Sequence, residues 1–348
     1  MTPRPAPGRS DRVQDAVAVA ARMRGRTATA VVGALAGEPA IAVAGPAEAV
    51  ADVVSAARHL PVVMIAVDDG SMEPAALGAD LALTTAGGAP APWISDPDGR
   101  ALDGLLDRIG SFPSASVVLA QLLRLGKDLD PHAGLTAESL AYATLQSGPE
   151  FAAWLRARGD VSAPGPGDPV TLVRDGDVLR VVLDRPERHN AYDIRTRDGV
   201  VAAFELVAAD PSIRRVELRG NGPTFSSGGD LSEFGTVADP VLGHLVRSSR
   251  FAAAAMLDCA VPIDAYVHGR CLGAGVELMA FADRVVAWPD STFELPEVAM
   301  GLVPGAGGTV SVVRRIGRHR TAYLALTGER LDARRALAWG LVDEITAD

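Results

Sequence analysis

Short apolar runs alternate with longer stretches of helical spacing along most of the chain. A continuous apolar run at 61–67 predicts a buried strand, because a strand covered on both faces shows no alternation. Further strands are predicted at 215–219, 263–267 and 284–287. Residues 171–173 and 179–183 flank a polar turn and predict a hairpin. Helical spacing fills 198–208, 242–257 and 274–282. This order of strands and helices predicts an α/β fold with mainly parallel strands.

The N-terminal half shows a similar but weaker alternation of predicted strands and helices. A helical stretch at 47–58 precedes the strand at 61–67, and residues 101–154 predict several helices broken near Pro113, Pro131 and Pro149. The segment from Pro61 to Asp80 is similar to the segment from Pro262 to Asp283, although it lacks the glycine-rich loop of the later one. The first half is therefore interpreted as an α/β domain that is either a degenerate copy of the second or a chance echo of it.

A run of Pro and Gly between residues 163 and 169 is the clearest linker signal in the chain. It predicts four segments. Residues 1–10 form a disordered tail, residues 11–160 an N-terminal α/β domain ending in helices, residues 161–169 a linker, and residues 170–348 a second domain.

Composition narrows the classes of function. The 348 residues carry a net charge of −10, which gives no electrostatic support for nucleic-acid binding. The N-terminus has no apolar segment of the kind a signal peptide requires, and no run of about 18 apolar residues predicts a membrane span. Cys259 and Cys271 lack metal-ligand spacing and are expected to be buried thiols. We therefore expect a cytoplasmic protein that binds neither nucleic acid nor membrane.

The most informative residues are two glutamates beside glycine-rich segments. Glu277 follows Gly273-Ala274-Gly275 at the predicted start of a helix, and Glu297 precedes the glycine-rich stretch from Gly305 to Gly308. A glycine turn at a helix start leaves N–H groups open for an anion or a polarised carbonyl oxygen. A carboxylate at the rim of an apolar helix tends toward a raised pKa, as proton transfer requires. The pattern favours acid–base chemistry, while a plain strand-to-helix turn with a glutamate facing the helix dipole is the structural alternative.

The sequence does not contain the motifs of several common cofactor sites. The loop at 273–275 does not have the G-x-G-x-x-G spacing of a dinucleotide site, and no Gly-Lys-Ser/Thr of a phosphate-binding loop occurs. We expect no metal, flavin or nicotinamide cofactor.

Five strings in fixed order resemble the enoyl-CoA hydratase/isomerase (crotonase) superfamily over about half of the chain. They are residues 184–191, 225–231, 267–278, 293–309 and 337–342. The resemblance implies that residues from about 168 to 348 form a crotonase-like spiral of ββα units. It also implies an acyl-CoA thioester as substrate, with coenzyme A as part of that substrate and not a cofactor.

The resemblance also assigns roles by motif position. The amides of Gly229 and Ala274 match the oxyanion hole for the thioester oxygen, although Ala274 replaces the family's usual glycine. Glu277 and Glu297 match the two glutamates that hold the attacking water in hydratases, and Gly305 matches a backbone position at that water. Ser227 matches a position near the CoA adenine, and Arg188 matches one near the CoA entrance.

Because both glutamates are present, the resemblance favours hydration of a 2-enoyl-CoA to a 3-hydroxyacyl-CoA. Which glutamate is acid and which is base stays open. Two alternatives also stay open. One is another reaction of the superfamily, namely isomerisation, thioester hydrolysis or cofactor-free oxygenation; the other is a non-catalytic acyl-CoA-binding subunit.

One departure from the family pattern concerns helices. The family continues for several helices beyond the segment at 337–342, and those helices cover the site and build an oligomer, whereas this sequence ends at Asp348. Residues 134–139 and 151–154 resemble that missing region. We therefore expect residues 101–158 to supply the cover, with Lys127 approaching CoA, and a trimer or hexamer by family resemblance.

Overall fold

The computed structural model describes residues 12–24, 32–162, 165, 167–237 and 239–346. It forms two compact units. The first contains residues up to 127 together with 316–327, and the second contains residues 128–315 together with 328 onward. The predicted tail at 1–10 lies outside the described residues, and so does part of the predicted linker at 161–169.

The first unit is built on its own parallel sheet. Its strands, in spatial and chain order, are β1 to β5: Gln14–Asp15, Ala40–Ala44, Val63–Asp68, Leu81–Thr84 and Ile94–Ser95. Its helices include Ala16–Met23, Ala47–Ala57, Arg100–Ser111 and Pro113–Gly126. Strands β2 to β4 are almost wholly buried, as their uninterrupted apolar sequence requires. The predicted N-terminal α/β domain is thus confirmed in its architecture.

A matching pair of hydrogen bonds supports the internal similarity of the two halves. Asp80 accepts from the Met64 N–H at 2.7 Å through its side chain and donates its own N–H to the Met64 carbonyl. Asp283 makes the same reciprocal pair with Ile263, at 2.8 Å through its side chain. In both places the aspartate directly precedes a strand and bonds to the neighbouring parallel strand. This agreement favours a degenerate copy over a chance echo.

The second unit contains a larger mixed sheet. Its six strands are Val170–Asp175 (β6), Val178–Leu183 (β7), Arg215–Gly220 (β8), Ile263–Val267 (β9), Arg284–Ala287 (β11) and Glu344–Ile345 (β14). Their spatial order is β14-β11-β9-β8-β7-β6, and all neighbours are parallel except the predicted hairpin of β6 and β7. A small sheet joins Arg270–Leu272 (β10), Thr292–Glu294 (β12) and Leu331–Asp332 (β13). This confirms the α/β class predicted for the second half.

The helices of the second unit mostly follow the sequence pattern. They are Pro131–Gln146, Pro149–Arg158, Ile194–Ala209, Pro240–Ser249, Ala252–Leu257, Ala274–Met279 and Ala333–Trp339, together with the first part of Gly308–Thr327, which is interrupted by Gly317 at φ 76°. The prediction of one helix over 242–257 was wrong, because Arg250 and Phe251 adopt extended backbone angles and divide it into two. The helix predicted over 274–282 ends at Met279.

The division into units differs from the predicted boundary at 161–169. Helices Pro131–Gln146 and Pro149–Arg158 group with the second unit, whereas Arg100–Ser111 and Pro113–Gly126 stay with the first. The physical reason is long-range hydrogen bonding within the second unit: Glu138 is fully buried and accepts from Gly307 and Thr309. A boundary signal read from Pro and Gly alone carries no information about such contacts.

Among the described residues there is neither a single membrane-spanning helix nor a metal-binding cluster. No single helix there has the length and apolar character to cross a bilayer; Arg100–Ser111 and Pro113–Gly126 meet both criteria only as a pair, and they are bent by 111°. Nor does that part of the chain contain a group of three His, Cys, Asp or Glu side chains arranged to hold a metal ion.

Candidate active site

The second unit encloses a cavity of about 290 Å³, and five of the seven predicted site residues line it. They are Gly229, Ala274, Glu277, Glu297 and Gly305. The five come from four separate segments of the sequence, which the fold of one unit brings together. Ser227 and Arg188, the two residues predicted near CoA, are not in the lining.

The two predicted oxyanion-hole residues border this cavity with available N–H groups. Gly229 follows Gly228, whose φ of 81° favours glycine, and Ala274 opens the helix Ala274–Met279 after Gly273 at φ 44°. Within the described chain, neither the Gly229 N–H nor the Ala274 N–H donates to another protein group. Such N–H groups can bind an oxygen that becomes negative during a reaction. Their role as an oxyanion hole stays a prediction.

Glu277 lies fully buried on this helix with its carboxyl group fixed. Its Oε2 accepts hydrogen bonds from the N–H groups of Ala306 at 2.7 Å and Gly308 at 2.8 Å. Burial raises the pKa of Glu277 to about 7, while these amides oppose the shift by stabilising the carboxylate. A carboxyl group that titrates near neutrality can accept and release protons under ordinary conditions.

Glu297 begins the short 3-10 turn Glu297–Met300 and is also buried. Burial, together with the charge of Glu277, raises the pKa of Glu297 well above its ordinary value. Its Oε2 has no hydrogen-bond partner among the described residues. A buried polar atom without a protein partner is uncommon in native proteins, so this oxygen is open to a contact with a bound molecule. Glu277 and Glu297 therefore differ: the first is held by amides, and the second has an open oxygen.

A third buried glutamate, Glu138, belongs to this group and was missed by the sequence reasoning. It lies on the helix Pro131–Gln146 and accepts from the N–H of Gly307 at 2.7 Å and of Thr309 at 2.9 Å, and from the Thr309 hydroxyl. Burial, followed by the charge of Glu277, raises the pKa of Glu138 to about 8. The loop amides at 306–309 thus alternate between Glu277 and Glu138. One loop holds both carboxyl groups.

The same helix supplies part of the cavity wall. Glu138, Tyr142 and Gln146 recur every four residues and so project from one helix face, and Tyr142 and Gln146 line the cavity. The Tyr142 ring lies so close to Gly305 that a Cβ there would overlap it. This spacing of polar and aromatic residues was the sequence signal that could have revealed the helix as part of the site.

The expected cover is therefore present only in part. Helices Pro131–Gln146 and Pro149–Arg158 belong to the unit that contains the cavity, in the same chain. The remainder of 101–158 and Lys127, which follows Pro113–Gly126, belong to the first unit. Their predicted roles in covering the site and contacting CoA stay predictions.

Arg188 and Ser227 lie next to each other beside a buried ion-pair network. The Ser227 hydroxyl donates to the Arg188 carbonyl at 3.5 Å, and the Arg188 guanidinium donates to Asp230 at 3.3 Å. Arg185 pairs with Asp230 at 3.0 Å and with Asp193 at 2.6 Å. Asp230 thereby fixes the segment behind Gly229. The contacts of Arg188 and Ser227 with CoA remain predictions.

Comparisons with known proteins match the second half of the chain. The family model described as enoyl-CoA hydratase/isomerase matches residues 174–348. The 2,3-dehydroadipyl-CoA hydratase of Escherichia coli K12 is 35% identical over 173 residues, which cover 49% of this chain and 67% of that protein. The probable enoyl-CoA hydratase 2, mitochondrial, of Arabidopsis thaliana is 33% identical over 170 residues, covering 49% of this chain and 56% of that protein.

A solved structure gives a similar extent of match. The enoyl-CoA hydratase from Thermoplasma volcanium is 32% identical, with a TM-score of 0.49 and coverage of 52% of this chain and 73% of that one. The chain spans 56% of the length of the Arabidopsis relative and about two thirds of the Escherichia coli one.

Proposed function

Because the chain belongs to the enoyl-CoA hydratase/isomerase family, we propose that it adds water across the double bond of a 2-enoyl-CoA. The product is a 3-hydroxyacyl-CoA. The observation that carries this proposal is the pair of buried carboxyl groups, Glu277 and Glu297, which line one cavity with two available N–H groups. The relatives reported above are named for enoyl-CoA hydration and so support the same class of substrate.

In this proposal the thioester oxygen binds to the N–H groups of Gly229 and Ala274. Donors that are fixed by the backbone would stabilise the enolate that forms when the β-carbon gains oxygen, because they need little reorganisation as the charge develops. The methyl group of Ala274 narrows the space beside the acyl group. The water lies between the two glutamates, near the backbone of Gly305.

The hydrogen bonds of the two glutamates support a division of the proton transfers. Glu277 accepts from the N–H groups of Ala306 and Gly308, which stabilise its carboxylate form, so it is assigned as the base that accepts a proton from water. Glu297, whose pKa lies well above its ordinary value, holds a proton and delivers it to the α-carbon. The oxygen of water bonds to the β-carbon as one water proton passes to Glu277 and the Glu297 proton passes to the α-carbon. One proton then returns from Glu277 to Glu297, directly or through solvent, before the next turnover. Because the groups interact, measured pKa values belong to the pair.

The test follows crotonyl-CoA absorbance with the full chain and with Glu277→Gln and Glu297→Gln. General acid–base groups typically contribute about 10²–10⁴-fold, so each variant should lose at least that much kcat. Glu205→Gln, an exposed glutamate on helix Ile194–Ala209, is the matched control and should retain activity. Hydration that survives in both site variants would contradict the proposed roles.

A parent protein that binds CoA thioesters without hydrating any would contradict the hydratase proposal itself. Turnover of a 3-enoyl or aryl-acetyl thioester would then favour another reaction of the family. Cytoplasmic location and a trimer or hexamer remain proposals that rest on the composition and on the family resemblance.

A further inference from the structure

Two arginines line the cavity, and only one of them has a carboxylate partner. Arg197 pairs with Asp198 at 2.8 Å. Arg247, on the helix Pro240–Ser249, makes no ion pair with any described carboxylate. A partly buried guanidinium keeps its charge, and it loses solvation that only a counter-charge or hydrogen-bond acceptors can replace.

Arg247 is nevertheless held in one position. Its Nε donates to the Ser139 hydroxyl at 3.1 Å, and one terminal nitrogen donates to the Ser139 carbonyl at 3.3 Å. The centre of the guanidinium lies 4.5 Å from the centroid of the Tyr142 ring. The other terminal nitrogen has no acceptor in the described chain. These contacts orient the group while leaving donors open, which is the arrangement of a binding side chain more than of a solvated surface residue.

Arg247 is connected through Tyr142 to the loop that holds Glu277. Tyr142 contacts both Arg247 and Gly305, and Gly305 begins the loop whose amides hold Glu277. One tyrosine ring therefore separates the guanidinium from the loop beside the glutamates. Gly229, Ala274 and Arg247 line one cavity, so an acyl chain whose thioester oxygen lies at the two amides shares that cavity with the guanidinium.

We propose that Arg247 binds a carboxylate at the far end of the acyl chain, so that the preferred substrate is a 2-enoyl-CoA carrying a terminal carboxylate. This inference rests on the proposed hydratase function and adds the class of acyl group. A planar guanidinium with open N–H groups matches a carboxylate through two parallel hydrogen bonds. The competing explanation is that Arg247 only offsets the charge of Glu138, which acts on it electrostatically.

The experiment compares trans-2-hexenoyl-CoA with its counterpart whose terminal methyl is a carboxylate. It uses the full chain, Arg247→Met and Arg247→Lys, and it measures the ratio of the two kcat/KM values. We expect the carboxylated substrate to be preferred roughly a hundredfold, since a partly buried cation with open donors discriminates against a partner that lacks the charge. The ratio should fall toward one in Arg247→Met and lie between the two in Arg247→Lys.

Arg334→Met is the matched control, because Arg334 lies on the helix Ala333–Trp339 of the same unit, is exposed and lies outside the cavity lining. It should leave the ratio unchanged. An unchanged ratio in Arg247→Met would overturn the proposal, as would a preference for hexenoyl-CoA in the parent. An equal loss for both substrates would also overturn it, since that result indicates a contact with CoA or a role in folding.

Binding of saturated thioesters separates this inference from the hydratase proposal. Calorimetry with adipyl-CoA and hexanoyl-CoA needs no turnover. Tighter binding of adipyl-CoA that is lost in Arg247→Met would support the carboxylate site even if no hydration were found. Equal binding of the two thioesters by the parent would overturn the site even if hydration were confirmed.

Discussion

Replacing Glu138 by glutamine tests how the three buried glutamates share one loop. Glutamine has nearly the same shape as the glutamate but cannot ionise, and its NH₂ group cannot accept a hydrogen bond. Both Glu138 oxygens accept from backbone N–H groups, of Gly307 and Thr309. Whichever way the new amide turns, its NH₂ therefore faces one of these donors.

The expected effect on stability depends on pH. One buried N–H left without an acceptor costs about 1–3 kcal/mol, so the variant should be less stable than the parent by that amount at low pH. The pKa of Glu138 is raised from 4.5 to about 8 in the folded protein, so folding keeps a proton that the unfolded chain releases. This contribution to stability is complete below pH 4.5 and is lost as pH rises toward 8.

The parent should therefore lose up to about 1.4 kcal/mol per pH unit through Glu138 across that interval, whereas the variant has no such group to titrate. Because that loss over the whole interval exceeds the initial gap of about 1–3 kcal/mol, the stability gap between the two should close and then reverse as pH rises. Urea unfolding of both proteins from pH 5 to pH 8 measures it, with Glu205→Gln as an exposed control that keeps the parent's slope. Parallel pH dependences for parent and variant would refute the reasoning.

Activity gives an independent measure of the same change. The loop that Glu138 holds also positions Glu277 through Ala306 and Gly308. A displacement of about 1 Å at a reacting group can cost about a hundredfold in rate, so kcat should fall by one to two orders of magnitude. Unchanged kcat in a destabilised variant would show that the substitution at Glu138 does not displace Glu277.

Two further substitutions probe the supports of the site. Gly305→Ala places a methyl group where it overlaps the ring of Tyr142, so kcat/KM should fall by at least about tenfold because an overpacked ring must move; a variant with parental kinetics would show that the ring has room to shift. Arg185→Met leaves the buried carboxylates of Asp193 and Asp230 without their shared partner, which should lower the free energy of unfolding by about 3–5 kcal/mol in urea titrations at pH 7. A decrease in the free energy of unfolding of less than about 1 kcal/mol would contradict the prediction that Arg185 stabilises the two buried carboxylates.

Much of the fold followed from the sequence because short-range pattern determined it. Apolar runs identified the central strands of both sheets, and a polar turn between alternating segments identified the hairpin of Val170–Asp175 and Val178–Leu183. Glycine-rich turns marked the segments that border the cavity, since φ values such as 44° at Gly273 favour glycine. Motif order then predicted that Glu277 and Glu297 share one site.

Predictions from local sequence pattern were wrong where contacts between distant segments decide the structure. The helical spacing over 242–257 continues through Arg250, yet the backbone there is extended and two helices result. The Pro- and Gly-rich stretch at 163–169 resembles a domain boundary, but Pro131–Gln146 and Pro149–Arg158 group with the sequence that follows it.

By itself, then, the sequence determined the α/β class, the family and the pair of glutamates, because these depend on neighbours within a few residues. Only the tertiary structure added Glu138, which accepts from a loop 169 residues away, and the unpaired guanidinium of Arg247. Burial likewise raises the pKa of all three glutamates, and the charge of Glu277 raises the pKa of Glu138 and of Glu297 further. Burial and charge interactions depend on which distant segments contact each other in the fold, and local sequence pattern does not specify those contacts.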